Sequence, residues 1–315
     1  GVNLNTSNVG GNLDVTATTG NISQSGAVTV TGTSKLTTSQ ANRTITLDNL
    51  NATGAISLNT NGAQGNASIT SNQQVNLVGS DVGGTLNVTA TDVNINSTVA
   101  AANATFQPTD SISTIGIGDN AVGTFNLNAT DLSNLQSNGT VTIGNNTVTG
   151  NVTINAVDLS NETFNLTVQG GNPAFNGDVN LPKNLNVTAT TGNLTQNGGT
   201  VTVNGQTTLA TGTSNDITFA NTTNNFNTVA VTSARNVTLN DSNEIDLGGS
   251  TITGNLGVTA GGNITDSGNL NVTGGTTLNA TGNDITLDNA NNFSTVAANG
   301  ANVTLNDNNG IDLGA

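Results

Sequence analysis

Cysteine, histidine, methionine, tryptophan and tyrosine are all absent from this chain of 315 residues. Without Cys or His there is no thiol nucleophile, no imidazole base, no zinc or haem ligand set and no disulfide framework. Basic residues are nearly absent as well. Lys35, Arg43, Lys183 and Arg235 are the four, widely spaced, against 19 acidic residues, for a formal net charge of −15. That balance leaves no electrostatic footprint for nucleic acid or for an anionic membrane surface. No apolar run approaches the ~18 residues of a membrane-spanning helix, so no membrane insertion is expected. The sequence opens at Gly1 with neither Met nor a charged-then-apolar leader, and so reads as a processed product or an internal fragment.

What fills the chain instead is Asn and Thr, which together exceed a third of it, with 39 Gly and only three Pro. Charged residues are 7% of the chain, far below the quarter usual in globular proteins. Polar tracts poor in aromatics are often disordered. Here, however, Val, Leu and Ile recur at period two among abundant Thr, which is the signature of strands.

A long internal repeat organises these strands. Residues 184–247, beginning NLNVTATTGNLTQNGGTVTV, align over residues 255–313, beginning NLGVTAGGNITDSGNLNV. Phe226 falls on Phe293, Val237 on Val303 and Leu239 on Leu305, and the slips lie in Gly/Asn loops. A third copy starts at residue 12 with NLDVTATTGNISQSGAVTV. Within a unit, LNVTA (185–189), TVTV (200–203), DITFA (216–220) and NVTLN (236–240) each place alternate apolar residues on one face. Val187, Ile217, Phe219, Val237 and Leu239 are expected inside, and Asn186, Thr218 and Thr238 outside. Turn-forming stretches such as TTGN, NGG, TGTSND and NDSN separate the strands.

Strands this short, joined by so few residues, cannot be linked through helical crossovers. Three strands per turn of about 22 residues, stacked as rungs, account for the long unit. The expected fold is therefore all-β: a right-handed parallel β-helix (β-solenoid), forming a single elongated rod of about fourteen turns. Its organisation reads as β-helix repeats over 1–100, an irregular segment continuous with the rod over 101–183, and two repeat units over 184–315. The irregular segment holds all three prolines, Pro108, Pro173 and Pro182. DLSNLQS (131–137) is expected to form a helical turn capped by Asp131, and DLSNETFNL (158–166) starts as its echo.

GNLTQNGGTVTVNGQTTL, then DITFANTTNNFNTVAVTSARNVTLNDSNEIDLGGSTITGNL, together with IGIGDNAVGTFNLNATDLSNLQSNGTVTIG, resemble the repeats of filamentous-haemagglutinin-like exoproteins. The resemblance implies a two-partner-secreted adhesin of a Gram-negative bacterium. It further implies a right-handed β-helix shaft, a secreted or cell-surface location, and adhesive or toxin-presenting roles. The Asn-Pro motifs of that family's secretion domain are not matched, Asn172-Pro173-Ala174 being the nearest, and no functional residue is carried over.

No catalytic, cofactor-binding or metal-binding residue is assigned. The carboxylates Asp241, Glu244 and Asp246, repeated as Asp307 and Asp312, admit a hydrolytic pair or a calcium turn. Their spacing fits neither an EF-hand loop nor a calcium-binding β-roll, and solvated turns are expected. Thr29, Thr31 and Thr33, or Thr200 and Thr202, could form an ice-binding face or simply fill outward positions. Inward-facing Asn at turn corners could stack in hydrogen-bonded ladders, and the Phe residues are read as core. Asn87, Asn186, Asn236, Asn271 and Asn302 open Asn-x-Thr sequons on strands and are candidate glycosylation sites.

The expected function is that of a structural, adhesive segment of an extracellular fibre, without enzymatic activity or cofactor. The alternatives are a filament or sheath subunit stacking end to end and, behind it, a carbohydrate-active β-helix. Expected partners are the chain itself or neighbouring repeats end to end, and glycans or proteins of host or neighbouring cells. Residues 1–13 align with the stretch from Glu244 to Leu256, while Ile311 and Leu313 repeat the phase of Val2 and Leu4. That match leads to the expectation that both ends continue into further coils.

Overall fold

A computed structural model of the chain describes residues 1–314. It is nearly all parallel β-strand, wound into a β-solenoid of about fifteen turns. Two compact units divide it. The first joins Gly1–Gly150 with Asn161–Val168, and the second joins Asn151–Ser160 with Gln169 onward. The division falls inside the segment that departs from the repeat.

In the first unit, successive coils set strands side by side in register. Leu13–Ala17 lies beside Ser34–Thr38, which lies beside Ile56–Asn59. A second column passes from Ile45–Leu47 through Ala67–Thr70 and Ser80–Ala90 to Val99–Pro108. A third runs from Ser7–Val9 through Val28–Val30 to Leu50–Ala52. Each step advances about twenty residues along the chain, as from Val28 to Leu50. One step is far longer: Val99 pairs with Leu135, because the coil between them swells to include residues 109–134.

The second unit is built the same way. From Leu194–Gln196 the column passes to Ile217–Phe219, Val237–Asp241 and Leu256–Ala260, then to the long strand Leu270–Ala280, where Leu256 meets Thr276. The alternation read in the sequence is realised there. Val187, Ile217, Phe219, Val237 and Leu239 are buried, while Asn186, Thr218 and Thr238 face outward. Val303 departs from it. It pairs with Ile285 in register, as its repeat position requires, yet is 42% exposed, since no described strand covers it on its other side.

All seven Phe are fully buried. Phe219 packs edge-on against Phe226 of the same coil, with ring centroids 5.6 Å apart, and tilted against Phe175, two coil steps earlier, at 5.2 Å. Burial at about 25 cal/mol per Å² of apolar surface makes such contacts a main source of the core's cohesion.

At the corners, hydrogen bonds run from coil to coil. The Asn236 side-chain carbonyl accepts the backbone N–H of Asn255 at 2.9 Å, and Asn255 accepts that of Gly275 at 2.9 Å. Asn12, Asn21 and Asn66 do the same for Thr33, Thr44 and Thr85 in the first unit. Each such residue stands just before a strand. These corner asparagines face outward, not inward as expected, and they bond to backbone N–H groups rather than stacking on each other. Direct amide pairs, such as Asn94 to Asn76 at 3.1 Å, occur on the strands. Tight corners also require Gly199, which has φ +70° and whose Cβ, if present, would fall 2.1 Å from the Gly177 carbonyl carbon.

The helical turn starts three residues earlier than the sequence suggested. The helix is Ala129–Ser133, capped by Asn128 in a reciprocal capping box with Asp131. Asp131 is therefore the third helical residue and not the cap, and Leu135 belongs to the next strand, Leu135–Gln136. The helix end takes the place of a neighbouring strand. Asp131 accepts the Ile95 N–H at 2.6 Å, and the Asn134 amide donates to the Ile95 carbonyl at 2.7 Å. The supposed echo at 158–166 forms no helix: Asp158 ends the strand Val157–Asp158 and accepts the N–H of Ser160 in a turn.

Candidate functional site

The acidic turns are held by their own hydrogen bonds. Asp241 is not solvated as expected; it is 4% exposed, because the period-two pattern of Val237 and Leu239 carries one step further and turns it inward. Its carboxylate accepts the N–H of Phe226 at 2.7 Å and that of Asn243 at 2.9 Å. Burial still pushes its pKa above the ordinary aspartate value, with the backbone bonds opposing. Asp307 repeats the bond on Phe293 at 2.8 Å. Asp246 accepts the hydroxyls of Thr228 and Ser267. Glu244 lines a shallow polar surface with Asn243 and Asn263, and Asp312 is exposed on a terminal strand. Among the described residues, no group of three or more acidic side chains converges closely enough to hold a metal ion.

The five sequon asparagines fall into two kinds. Asn87 and Asn271 are exposed, and Asn271 accepts the amide of Asn292 at 3.1 Å. Asn186 is half-buried beside Thr208. Asn236 and Asn302 stand at corners, where their side-chain amides donate to Asp216 at 3.0 Å and Asp284 at 2.8 Å. A sugar on either nitrogen would compete with that bond. The threonine arrays are not uniform from coil to coil: Thr29 lies between Asn8 and Asn51 and Thr202 between Asn180 and Asn225, whereas the Thr200 hydroxyl meets that of Thr223 on the next coil at 2.6 Å.

A groove of about 650 Å³ opens on the first unit where the swollen coil interrupts regular stacking. Four successive coils line it, through residues 81–83, 100–102, 133–138 and 161–163. Register brings them together, with Asp81 beside Ala100 and Ala100 beside Gln136. The Thr163 hydroxyl, donating to the Ser137 carbonyl at 2.7 Å and to Asn138 Oδ1 at 3.1 Å, ties the last coil in. Among the described residues, the carboxylates of Asp81 and Glu162 have neither hydrogen-bond nor ion-pair partners. Glu162 is half-buried, which pushes its pKa up. Sequence reasoning passed over both. The run Ala100-Ala101-Ala102 was the available signal, since three small residues in a strand leave room on its surface.

The repeat family described as "Repeats of unknown function (DUF5649)" matches the chain three times, over residues 1–59, 163–233 and 234–299. The chain belongs to this family. Its three DUF5649 copies share a polar clamp in the stretches NISQSG, NLTQNG and NITDSG. Gln24 donates to the carbonyls of Gly26, at 2.7 Å, and Asn49. Gln196 donates to Gly199 at 2.8 Å and exchanges amide bonds with the fully buried Asn224. Asp266 accepts the amide of the fully buried Asn291 at 2.8 Å. Each clamp joins one coil to the next. The groove, apart from Thr163, lies outside the DUF5649 matches. No curated protein and no solved structure matches the chain.

Proposed function

We propose that this chain is a structural segment of an extracellular or cell-surface fibre, with adhesion as its role and no active site. The observation that carries the reading is the coil-to-coil bonding within each unit. Backbone ladders, corner amides and buried clamps repeat from one DUF5649 copy to the next, and most outward positions hold small uncharged Asn and Thr. Such cross-linking suits a load-bearing element. Of the acidic side chains that invited a catalytic reading, Asp241 and Asp307 are bound to backbone amides in turns, and Asp246 accepts neighbouring hydroxyls. The resemblance to filamentous-haemagglutinin-like exoproteins supports secretion to the surface of a Gram-negative cell. Immunogold labelling of intact source cells with an antibody against this chain tests the location. Label on unpermeabilised cells is expected; label only after permeabilisation contradicts the proposal.

A second reading is a filament subunit whose coils pair with those of another copy. It is favoured by Val303 and Leu313, exposed at 42% and 70% beside an apolar hollow that also includes Val296 and Leu305. Sedimentation that grows with concentration, and is lost in Val303→Asp with Leu313→Asp, would support it over a further coil of the same chain.

A further inference from the structure

We propose that the groove of the first unit binds a short stretch of a linear amino-sugar chain. The inference rests on the surface-adhesin reading and gives that reading a ligand class. Three features of the groove carry it.

The first is its direction. The lining residues come from four coils in succession, so the groove runs along the stacking axis and advances about 4.8 Å per coil, roughly 14 Å in all. A pyranose residue is about as long as one such step, so a sugar chain laid along the axis meets a new coil with each residue. An extended peptide returns to the same side only every second residue, about 6.6 Å, and falls out of step.

The second is the lining. Gly83 and Ala100–Ala102 leave a floor without bulk, flanked by the amides of Gln136, Asn138 and Asn161. Asn138 Oδ1 is occupied by Thr163, which leaves its NH₂ to donate outward. Amides and carboxylates of this kind suit the paired donors and acceptors of vicinal hydroxyls.

The third is charge. Asp81 and Glu162 face the groove as carboxylates without partners, and no Lys or Arg lines it. A half-buried carboxylate gains from a cation placed beside it. A free sugar amine supplies that cation, and an N-acetylated sugar does not.

Isothermal titration of the whole chain with fully deacetylated chitotetraose tests the proposal, with N-acetylated chitotetraose and tetralysine as comparators. Saturable binding of the amine oligomer is expected, with the acetylated oligomer and tetralysine each weaker by roughly tenfold. Glu162→Gln and Asp81→Asn should each weaken binding by roughly fivefold without lowering the thermal midpoint, since neither side chain bonds within the fold. Ala100→Arg, which sets a guanidinium beside Asp81, should abolish it. Absence of binding by the native chain would overturn the proposal. So would undiminished binding by the double carboxylate variant, or tetralysine binding as tightly as the sugar. Because the titration is done in solution, its outcome is separate from the cell-labelling result that tests surface location.

Discussion

Asp241 accepts the backbone N–H of Phe226 across one coil step, carboxylate to amide at 2.7 Å, with both residues buried. The bond fixes the start of a strand whose phenyl ring then packs edge-on against Phe219. The same pair recurs one repeat later as Asp307 and Phe293. A polar anchor at a corner thus sets the position of an aromatic core residue.

Removing that anchor should be costly. Asp241→Ala strands the buried amide of Phe226 and frees that of the exposed Asn243, a loss of about 2–3 kcal/mol, because bonds to charged groups are the stronger kind. Asp241→Asn keeps one acceptor and should cost less. Urea unfolding at constant m-value measures both, and an Ala variant as stable as the native chain would contradict the assignment.

Acid should not weaken the fold until the pH is very low. Burial raises the pKa of Asp131, Asp241 and Glu162. A carboxyl that holds its proton more tightly folded than unfolded adds stability as pH falls through its folded pKa. Asp216 works the other way. The Arg235 side chain, hydrogen-bonded to it at 2.8 Å, holds its pKa at about 2, so its contribution is present above the unfolded value near 3.8 and is lost as pH falls toward 2. Protonation also relieves the repulsion within a chain of net charge −15. Thermal midpoints should therefore hold or rise from pH 7 to about 4 and fall only below that. The low-pH fall should be smaller in Asp216→Asn. A steady decline from pH 7 downward would contradict this.

Among the described residues, three inward hydroxyls have no hydrogen-bond partner: Ser34, Thr207 and Thr276. They occupy one position of the three DUF5649 copies, each beside a leucine of the preceding coil: Leu13, Leu185 and Leu256. Thr207→Val and Thr276→Val keep the shape and remove the unpaired group, and each should stabilise by about 1 kcal/mol. Destabilisation in chemical unfolding would mean that the hydroxyls have partners after all.

The sequence made the solenoid legible because its inward positions are unbroken runs of alternate Val, Leu, Ile and Phe. It made less of the polar interior legible, because hydrophobicity was used to mark the inside. Asp241 and Thr207 sit in phase with Leu239 and Leu209 and should have been read as buried on period alone. The helix start was written in Asn128-x-x-Asp131 as a capping box. For the groove, the run Ala100-Ala101-Ala102 marked the floor but not the walls. Its walls meet only because Val99 pairs with Leu135 across a swollen coil, a register that no local pattern announces.

The parallel stacking of coils is the claim on which the rest depends, and the absence of native cysteine makes it directly measurable. Thr195 and Thr218 face outward on neighbouring coils as register partners in parallel strands, within the reach of a disulfide. The double substitution Thr195→Cys with Thr218→Cys should cross-link on mild oxidation, seen as a mobility shift under non-reducing conditions that a thiol reductant reverses. Thr195→Cys with Thr202→Cys, the pairing that a hairpin would create, should stay reduced. Cross-linking of the 195/202 pair in place of the 195/218 pair would contradict the solenoid.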